Sequence, residues 1–445
     1  MADLAQFAPM GVLYDNLEIL LDRSVGIINR LEETPVPPGE PQFFHFAARA
    51  CNTRVFVENR NFFNTGGAST NRVTALTKAM GEAVERYSAA IYVRDKLRLG
   101  SARDARFRVI PPGDFTLHAP EQYDHPGFPW VPFDVTTIQR WTPVANLGDG
   151  SQTHAPAAFV WIPYVYDRAA GEAPIGQPIS TGLACHQSYE KACLSSLSEV
   201  IERDAFSIFW LAMISPPQIR IETLPDDSYD IVRRFEATGD RVVILDITTD
   251  NEIPCFLSVL VSMQEERPAF VFAASCDLDP AVAVRKALEE LAHTRRYSQQ
   301  IKAHLPPVSG DNDWRAVTGQ LEHLNLAADH ANRAYFDFVF ASRKRIDFDT
   351  FVSLASGDAK RDLATAVARV EATGQSVYAA DLTSSDIASL GLCVTRVLVP
   401  GYHPLFMGHN IRALGGDRLY QVPQRLGHAG ITAASMSNPF PHPYP

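Results

Sequence analysis

The pattern Glu-x-x-Glu-Arg occurs twice in this chain of 445 residues, as Glu82-Ala83-Val84-Glu85-Arg86 and as Glu199-Val200-Ile201-Glu202-Arg203. Both copies sit in apolar, helix-like runs. Ala79-Met80-Gly81 and Tyr87-Ser88-Ala89-Ala90 flank the first, and Ala192-Cys193-Leu194 and Ala205-Phe206-Ser207-Ile208-Phe209-Trp210-Leu211 flank the second. Positions i and i+3 share a face of a helix, so each copy projects a carboxylate pair in one direction with an arginine beside it. Acid pairs at this spacing ordinarily lie on wet faces among lysines and further glutamates, which neither flank supplies. Acids held in apolar surroundings repel one another and lose hydration, a cost that a divalent cation or a shifted protonation must offset. The duplication therefore predicts helices whose carboxylates gather around positive charge.

Composition narrows the class. With 46% apolar and 20% charged residues the chain can bury a sizeable core, as one large or two medium domains. Its net charge of −11, with no basic run or stripe, gives nucleic-acid binding no electrostatic support. Cys51, Cys185, Cys193, Cys255, Cys276 and Cys393 form no Cys-x-x-Cys, which argues against a zinc knuckle, a redox motif or a disulfide framework. The opening Met1-Ala2-Asp3-Leu4 does not lead a basic segment into an apolar core, and no apolar run approaches the ~18 residues of a membrane span. The expectation is a cytoplasmic protein without membrane association.

Strand-like and helix-like segments interleave throughout, which predicts an α/β (α+β) fold. Residues 1–50 read as an N-terminal appendage, with a helix over Leu13 to Leu31 and a Pro-rich stretch to Pro41. Residues 51–440 read as the catalytic domain and 441–445 as a Pro-rich tail. Within the domain, an extended Arg54 to Glu58 precedes a polar loop, Asn64 to Asn71, that offers N-caps to a helix running to about Val93. The second acidic helix spans roughly Tyr189 to Met213. Strands are expected at Val242–Leu245, Cys255–Val261, Phe270–Ala274, Tyr335–Phe340, Val377–Ala380 and Cys393–Pro400. Asp279-Pro280 opens a long helix toward Ala303, on which Arg285 and Glu289 share a face. Asp246-Ile247-Thr248 and Asp381-Leu382-Thr383 each follow a strand and read as side-chain caps of turns. A Glu290-x-x-His293 pair raises a ferritin-like di-iron site, but that needs a second such motif on a helical bundle, and the chain has too many strands.

Four further stretches follow in order: Gly66-Gly67-Ala68-Ser69 leading to the first acidic helix, Ser180-Thr181-Gly182-Leu183-Ala184 leading to the second, Asp279-Pro280 before Arg285-Lys286-Ala287-Leu288-Glu289, and Pro400-Gly401 before Gly408-His409. Taken together with the two acidic helices, they resemble the YcaO family. The resemblance implies a YcaO-like fold, mixed sheets with helices carrying an ATP and Mg²⁺ site between them. Glu82, Glu85, Glu199 and Glu202 would hold Mg²⁺ against the triphosphate. Ser180, Gln187, Glu190, Arg203, Arg285, Glu289 and Arg86 would contact the nucleotide. The chemistry agrees: Mg²⁺ takes oxygen ligands and bridges carboxylates to phosphates, and arginine matches phosphate oxygens with paired donors. No Walker-type or kinase-type glycine loop is present. The chain departs from the family pattern at Lys78, Thr181, Lys191 and Ala292, which bears on adenine and ribose contacts rather than on the metal core.

The ending Pro441-His442-Pro443-Tyr444-Pro445 stiffens into an extended segment that cannot enter a helix or an interior strand. It is similar to the Pro-x-Pro-x-Pro terminus of azoline-forming YcaO enzymes, which implies that the Pro445 carboxylate works in catalysis beside Arg203 and Arg285. The implied activity is ATP-dependent cyclodehydration of Cys, Ser or Thr in a ribosomal precursor peptide. The implied partners are a ubiquitin-activating-enzyme-like leader-binding protein and a flavin dehydrogenase, with a homodimer within a complex as one compatible assembly. Thioamide or amidine formation, or a non-catalytic scaffold, are the alternatives.

Overall fold

Along the chain the strands are β1 (Ile28–Glu33), β2 (Phe44–Ala50), β3 (Asn64–Ser69), β4 (Arg98–Ser101), β5 (Ile138–Asn146), β6 (Gln152–Pro156) and β7 (Leu183–His186). They continue with β8 (Gln218–Ile219), β9 (Arg241–Asp246), β10 (Cys255–Val261), β11 (Phe270–Cys276), β12 (Arg345–Ile346), β13 (Tyr378–Asp381) and β14 (Cys393–Leu398). The computed structural model describes residues 11–55, 57–308, 310, 313–431 and 436–445. Met1-Ala2-Asp3-Leu4 and Phe56, which the sequence reading touched, lie outside them. The described chain divides into two compact units, the first made of the chain up to Pro35, Phe44–Val200 and Ser356–Gly401, the second of Val36–Phe43, Ile201–Ala355 and Tyr402–Pro445. No helix among the described residues is long and apolar enough to cross a membrane.

In the first unit the acidic helix Arg72–Ala89 packs against both the β1-β2-β3 sheet and β7 and β14 of a second sheet, ordered β4-β5-β13-β14-β7 with β6 on β5. Asn71 starts the helix by accepting from the Thr74 N–H at 3.1 Å. With sheets on two sides, the helix buries residues all round, among them Ala75, Ala79, Met80, Ala83 and Val84. Strand β3 can approach so closely because it is glycine-rich: a Cβ on Gly67 would lie 2.3 Å from the Ala75 carbonyl oxygen. The core continues through Leu13, Leu20 and Ile28, so the N-terminal segment contributes to it.

The second unit is built on a sheet ordered β11-β10-β9-β8-β12. Every residue of β10 and β11 is buried, which is why both read as unbroken apolar runs, and the helix Pro280–His304 packs on them. Its start follows the predicted cap, with Asp279 accepting from the Ala281 N–H at 2.9 Å and Pro280 at the first helical position. The second acidic helix, Tyr189–Leu211, runs from the first unit into the second.

Three expected elements take another form. The helix over Leu13 to Leu31 breaks into Gly11–Asp15 and Leu17–Leu20, because Asp22 accepts from the Ser24 and Val25 N–H groups at 2.7 and 3.0 Å, turning the chain into β1. Arg54 to Val55 belongs to a 3₁₀ turn whose Arg54 N–H is taken by the Asn52 side chain at 3.2 Å. Residues His330–Phe340 are 3₁₀ rather than strand, capped by Asp329 and burying Asn332, Phe336 and Val339 at helical spacing. The two Asp-x-Thr repeats are turn caps as expected: Asp246 accepts from the Thr248 N–H at 3.0 Å and Asp381 from the Thr383 N–H at 2.9 Å.

Candidate active site

Each copy of Glu-x-x-Glu-Arg is helical, and the first glutamate of each is held by a glycine. The Gly66 N–H on β3 donates to Glu82 Oε2 at 3.1 Å, and the Gly182 N–H donates to Glu199 Oε2 at 3.0 Å. Gly182 reaches this place with φ of +83°, and a Cβ there would lie 2.4 Å from the Val397 carbonyl oxygen. The residue must be glycine on both counts. A backbone N–H fixes a carboxylate oxygen without spending a side chain, leaving the rest of the acid for a ligand.

In the first unit Glu85 lies near enough to Glu82 and Glu199 to feel their charges. Burial pushes the Glu85 carboxyl up to about 8, opposed by Arg86 and reinforced by the charges of Glu199 and Glu82. Arg86 forms ion pairs with Glu85 and, at 3.2 Å, with Glu82. A residue the sequence reading missed completes the group: Arg396, in the middle of β14, is 4% exposed and is felt electrostatically by Glu199, Glu85 and Arg86. Its burial lowers the guanidinium to about 10, and its Nε and Nη1 have no protein hydrogen-bond partner. The available signal was a lone arginine inside the apolar strand Cys393–Leu398.

Glu202 and Arg203 belong to the second unit, where the C-terminal segment meets them. The Tyr444 hydroxyl donates to Glu202 Oε1 at 2.6 Å, the Arg203 guanidinium lies 4.5 Å from the Tyr444 ring centre, and Arg203 Nη1 donates to the Pro445 oxygen at 3.4 Å. Arg203 Nε stands 3.6 Å from Glu202 Oε1. One residue on, buried Asp204 accepts from Arg418 at 2.7 Å and from the His403 N–H at 2.7 Å, and Arg418 also reaches Asp250 at 2.8 Å. This network locks the end of the acidic helix.

The remaining predicted residues are more dispersed. Glu289 is 3% exposed on the long helix, and Arg285, on the same face, stands 3.8 Å from Asp227. The Ser180 carbonyl closes the turn before β7, Gln187 follows that strand, and Glu190 lies in the first turn of the second acidic helix. Lys78 donates to the Ala68 carbonyl at 3.2 Å, beside β3. His293 makes its contact with Glu290, 3.3 Å away, on the surface of the long helix, and no di-iron arrangement is formed there among the described residues.

A profile described as YcaO cyclodehydratase, ATP- and Mg²⁺-binding, matches residues 66–403. The chain belongs to the YcaO family. A heterocyclase solved in complex with substrate and cofactor superposes with a TM-score of 0.74 at 21% identity over 98% of this chain, which spans only 57% of that larger protein. YcaO from Methanopyrus kandleri, solved with AMPPCP and Mg²⁺, gives 0.64 at 20% identity, covering 92% of this chain and 94% of the other. An uncharacterized protein of Methanothermobacter thermautotrophicus is 27% identical over 358 residues, 78% of this chain and 85% of that one.

This is an ATP- and Mg²⁺-binding family, and the residues here fit those ligands. The donor set is carboxylate oxygen, Glu85 stays protonated toward neutral pH without more positive charge, and Arg396 holds buried N–H groups that phosphate oxygens would satisfy. No three His, Cys, Asp or Glu among the described residues form a ready-made cage. Mg²⁺ seldom needs one, since it keeps waters and binds through one or two carboxylates plus phosphates.

Proposed function

We propose that this chain is an ATP-dependent peptide cyclodehydratase, forming thiazoline or oxazoline rings in a ribosomally made precursor. The observation that carries the reading is the pair of glycine-anchored glutamates, Glu82 and Glu199, on the two acidic helices of a YcaO chain. Bound Mg²⁺ supplies neutralisation of the phosphate charge. Glu82, Glu85, Glu199 and Glu202 hold it, and Arg86, Arg203, Arg285 and Arg396 stabilise charge that develops on phosphate oxygens. Glu289, Ser180, Gln187 and Glu190 orient the nucleotide.

In the reaction a substrate Cys, Ser or Thr side chain gives up its S–H or O–H proton and attacks the preceding carbonyl carbon. The amide oxygen takes the γ-phosphoryl group, releasing ADP, and leaves as phosphate, while the amide nitrogen loses its proton and forms the ring C=N bond. The Pro445 carboxylate, steered by Arg203, is the base that moves these protons. A leader-binding partner of the ubiquitin-activating-enzyme-like class delivers the peptide, and a flavin dehydrogenase oxidises the rings. The alternative thioamide product is separated by mass: cyclodehydration removes one water per ring, whereas exchange of oxygen for sulfur adds mass. The test combines chain, partner, precursor and ATP. Loss of water with release of one phosphate per ring is expected, and a gain in mass, or no ATP turnover with every component present, overturns the reading. Adding one glycine after Pro445 should stop ring formation while nucleotide binding survives.

A further inference from the structure

The prolines of Pro441–Pro445 set its stiffness, but the two residues between them make its buried contacts. His442 is fully buried and stacks on His323 with ring centres 3.8 Å apart and planes 9° from parallel. Each ring has its tautomer fixed by the backbone. The Tyr444 N–H donates to His442 Nδ1 at 3.1 Å, so His442 Nε2 carries the proton given to the Phe406 carbonyl at 2.7 Å. The Gly408 N–H donates to His323 Nε2 at 3.1 Å, and His323 Nδ1 donates to the His442 carbonyl at 2.7 Å. This pair seats the backbone on which Tyr444 stands.

Tyr444 is then constrained on every side. Its ring lies 4.2 Å from that of Phe206, with the Arg203 guanidinium over it at 4.5 Å. The Ala274 N–H donates to its hydroxyl at 3.1 Å, which directs the single hydroxyl proton to Glu202 Oε1 at 2.6 Å. Packing alone would be served by phenylalanine; the hydroxyl adds a directional bond to the Glu202 carboxylate. Building on the reading of Glu202 as a metal ligand, we propose that Tyr444 is a positioning residue for the metal site, its hydroxyl fixing the Glu202 carboxylate. The C-terminal segment thereby sets Mg²⁺ affinity, separately from any chemistry at Pro445. A hydrogen bond that orients a ligating carboxylate typically controls metal affinity by roughly 10–100-fold.

The test titrates Mg²⁺ into the full chain with a non-hydrolysable ATP analogue, reading nucleotide binding by calorimetry rather than turnover. Tyr444→Phe should raise the Mg²⁺ concentration for half-maximal binding by roughly 10-fold. Glu202→Gln should raise it further, and the double variant should be no worse than Glu202→Gln alone. Phe206→Leu, which loosens packing under the ring but keeps the hydroxyl, should lower the melting temperature while leaving the Mg²⁺ dependence unchanged. An unshifted Mg²⁺ dependence in Tyr444→Phe beside a shifted one in Glu202→Gln overturns the proposal. No shift in Glu202→Gln overturns instead the reading of Glu202 as a ligand.

Discussion

Glu82 and Glu199 accept hydrogen bonds from glycine N–H groups 16 and 17 positions earlier, whereas the second glutamates, Glu85 and Glu202, have different companions. Glu85 is half-buried and paired with Arg86, and desolvation beside neighbouring acids raises its carboxyl to about 8. Glu202 instead meets a tyrosine from the far end of the chain at 2.6 Å. A five-residue pattern can thus be repeated in sequence and share one anchor while diverging at the other. The shared anchor is backbone; the divergent one is a side chain, adjacent in the first copy and 242 positions away in the second.

The parallel is most exposed to attack at its shared positions. Glu82→Gln and Glu199→Gln should each reduce kcat/KM on the order of 100-fold, as expected when charge stabilisation at a reacting site is removed. If one is tolerated and the other is not, the two copies are not equivalent. Arg396→Lys tests the buried arginine that a glutamate of each copy feels, Glu199 and Glu85. Lysine retains charge but lacks the guanidinium fork, and ATP affinity should fall by roughly 10-fold with the fold intact. Equal affinity would remove Arg396 from the site.

The glycine anchor predicts a stability effect. Gly182→Ala meets both a positive φ and the Val397 carbonyl, and should cost about 1–3 kcal/mol in chemical denaturation. An unchanged midpoint would show that the anchor tolerates a side chain. A smaller effect separates the copies by pH. His323, beside the tail, is held by burial at about 4, below its free value of 6.5. The unfolded chain therefore takes the proton first, so stability is complete above about 6.5 and declines as pH falls toward about 4. Melting temperatures across that window should drop, and His323→Gln should flatten the profile. Smallest of all is Lys78→Ser, which should change nucleotide affinity less than twofold if Lys78 only braces the Ala68 carbonyl beside β3.

What could be read from the chain followed from local physics. Asn71 and Asp279 announce helices through side chains that cap the next few residues, and β10 and β11 announce themselves as unbroken apolar runs. Failures came where a competing local bond or a distant partner decided the outcome. Asp22 turned an apparently helical stretch into a strand entry, and His330–Phe340 took helical spacing because its buried positions face one side. The glutamates were legible because they are duplicated. Arg396 was not, because a lone arginine in a strand acquires meaning only beside Glu85 and Glu199. Tyr444 was hidden behind the prolines that flank it.

The separations of these contacts also order them in time. Gly66 to Glu82 and Gly182 to Glu199 close over 16 and 17 residues, so each can form as its helix leaves the ribosome. Glu202 waits for a partner 242 positions later. At synthesis rates of about 5–20 residues per second, that delay is roughly 12–48 s. Throughout it, a nascent chain would carry anchored glutamates but lack the tyrosine that fixes Glu202.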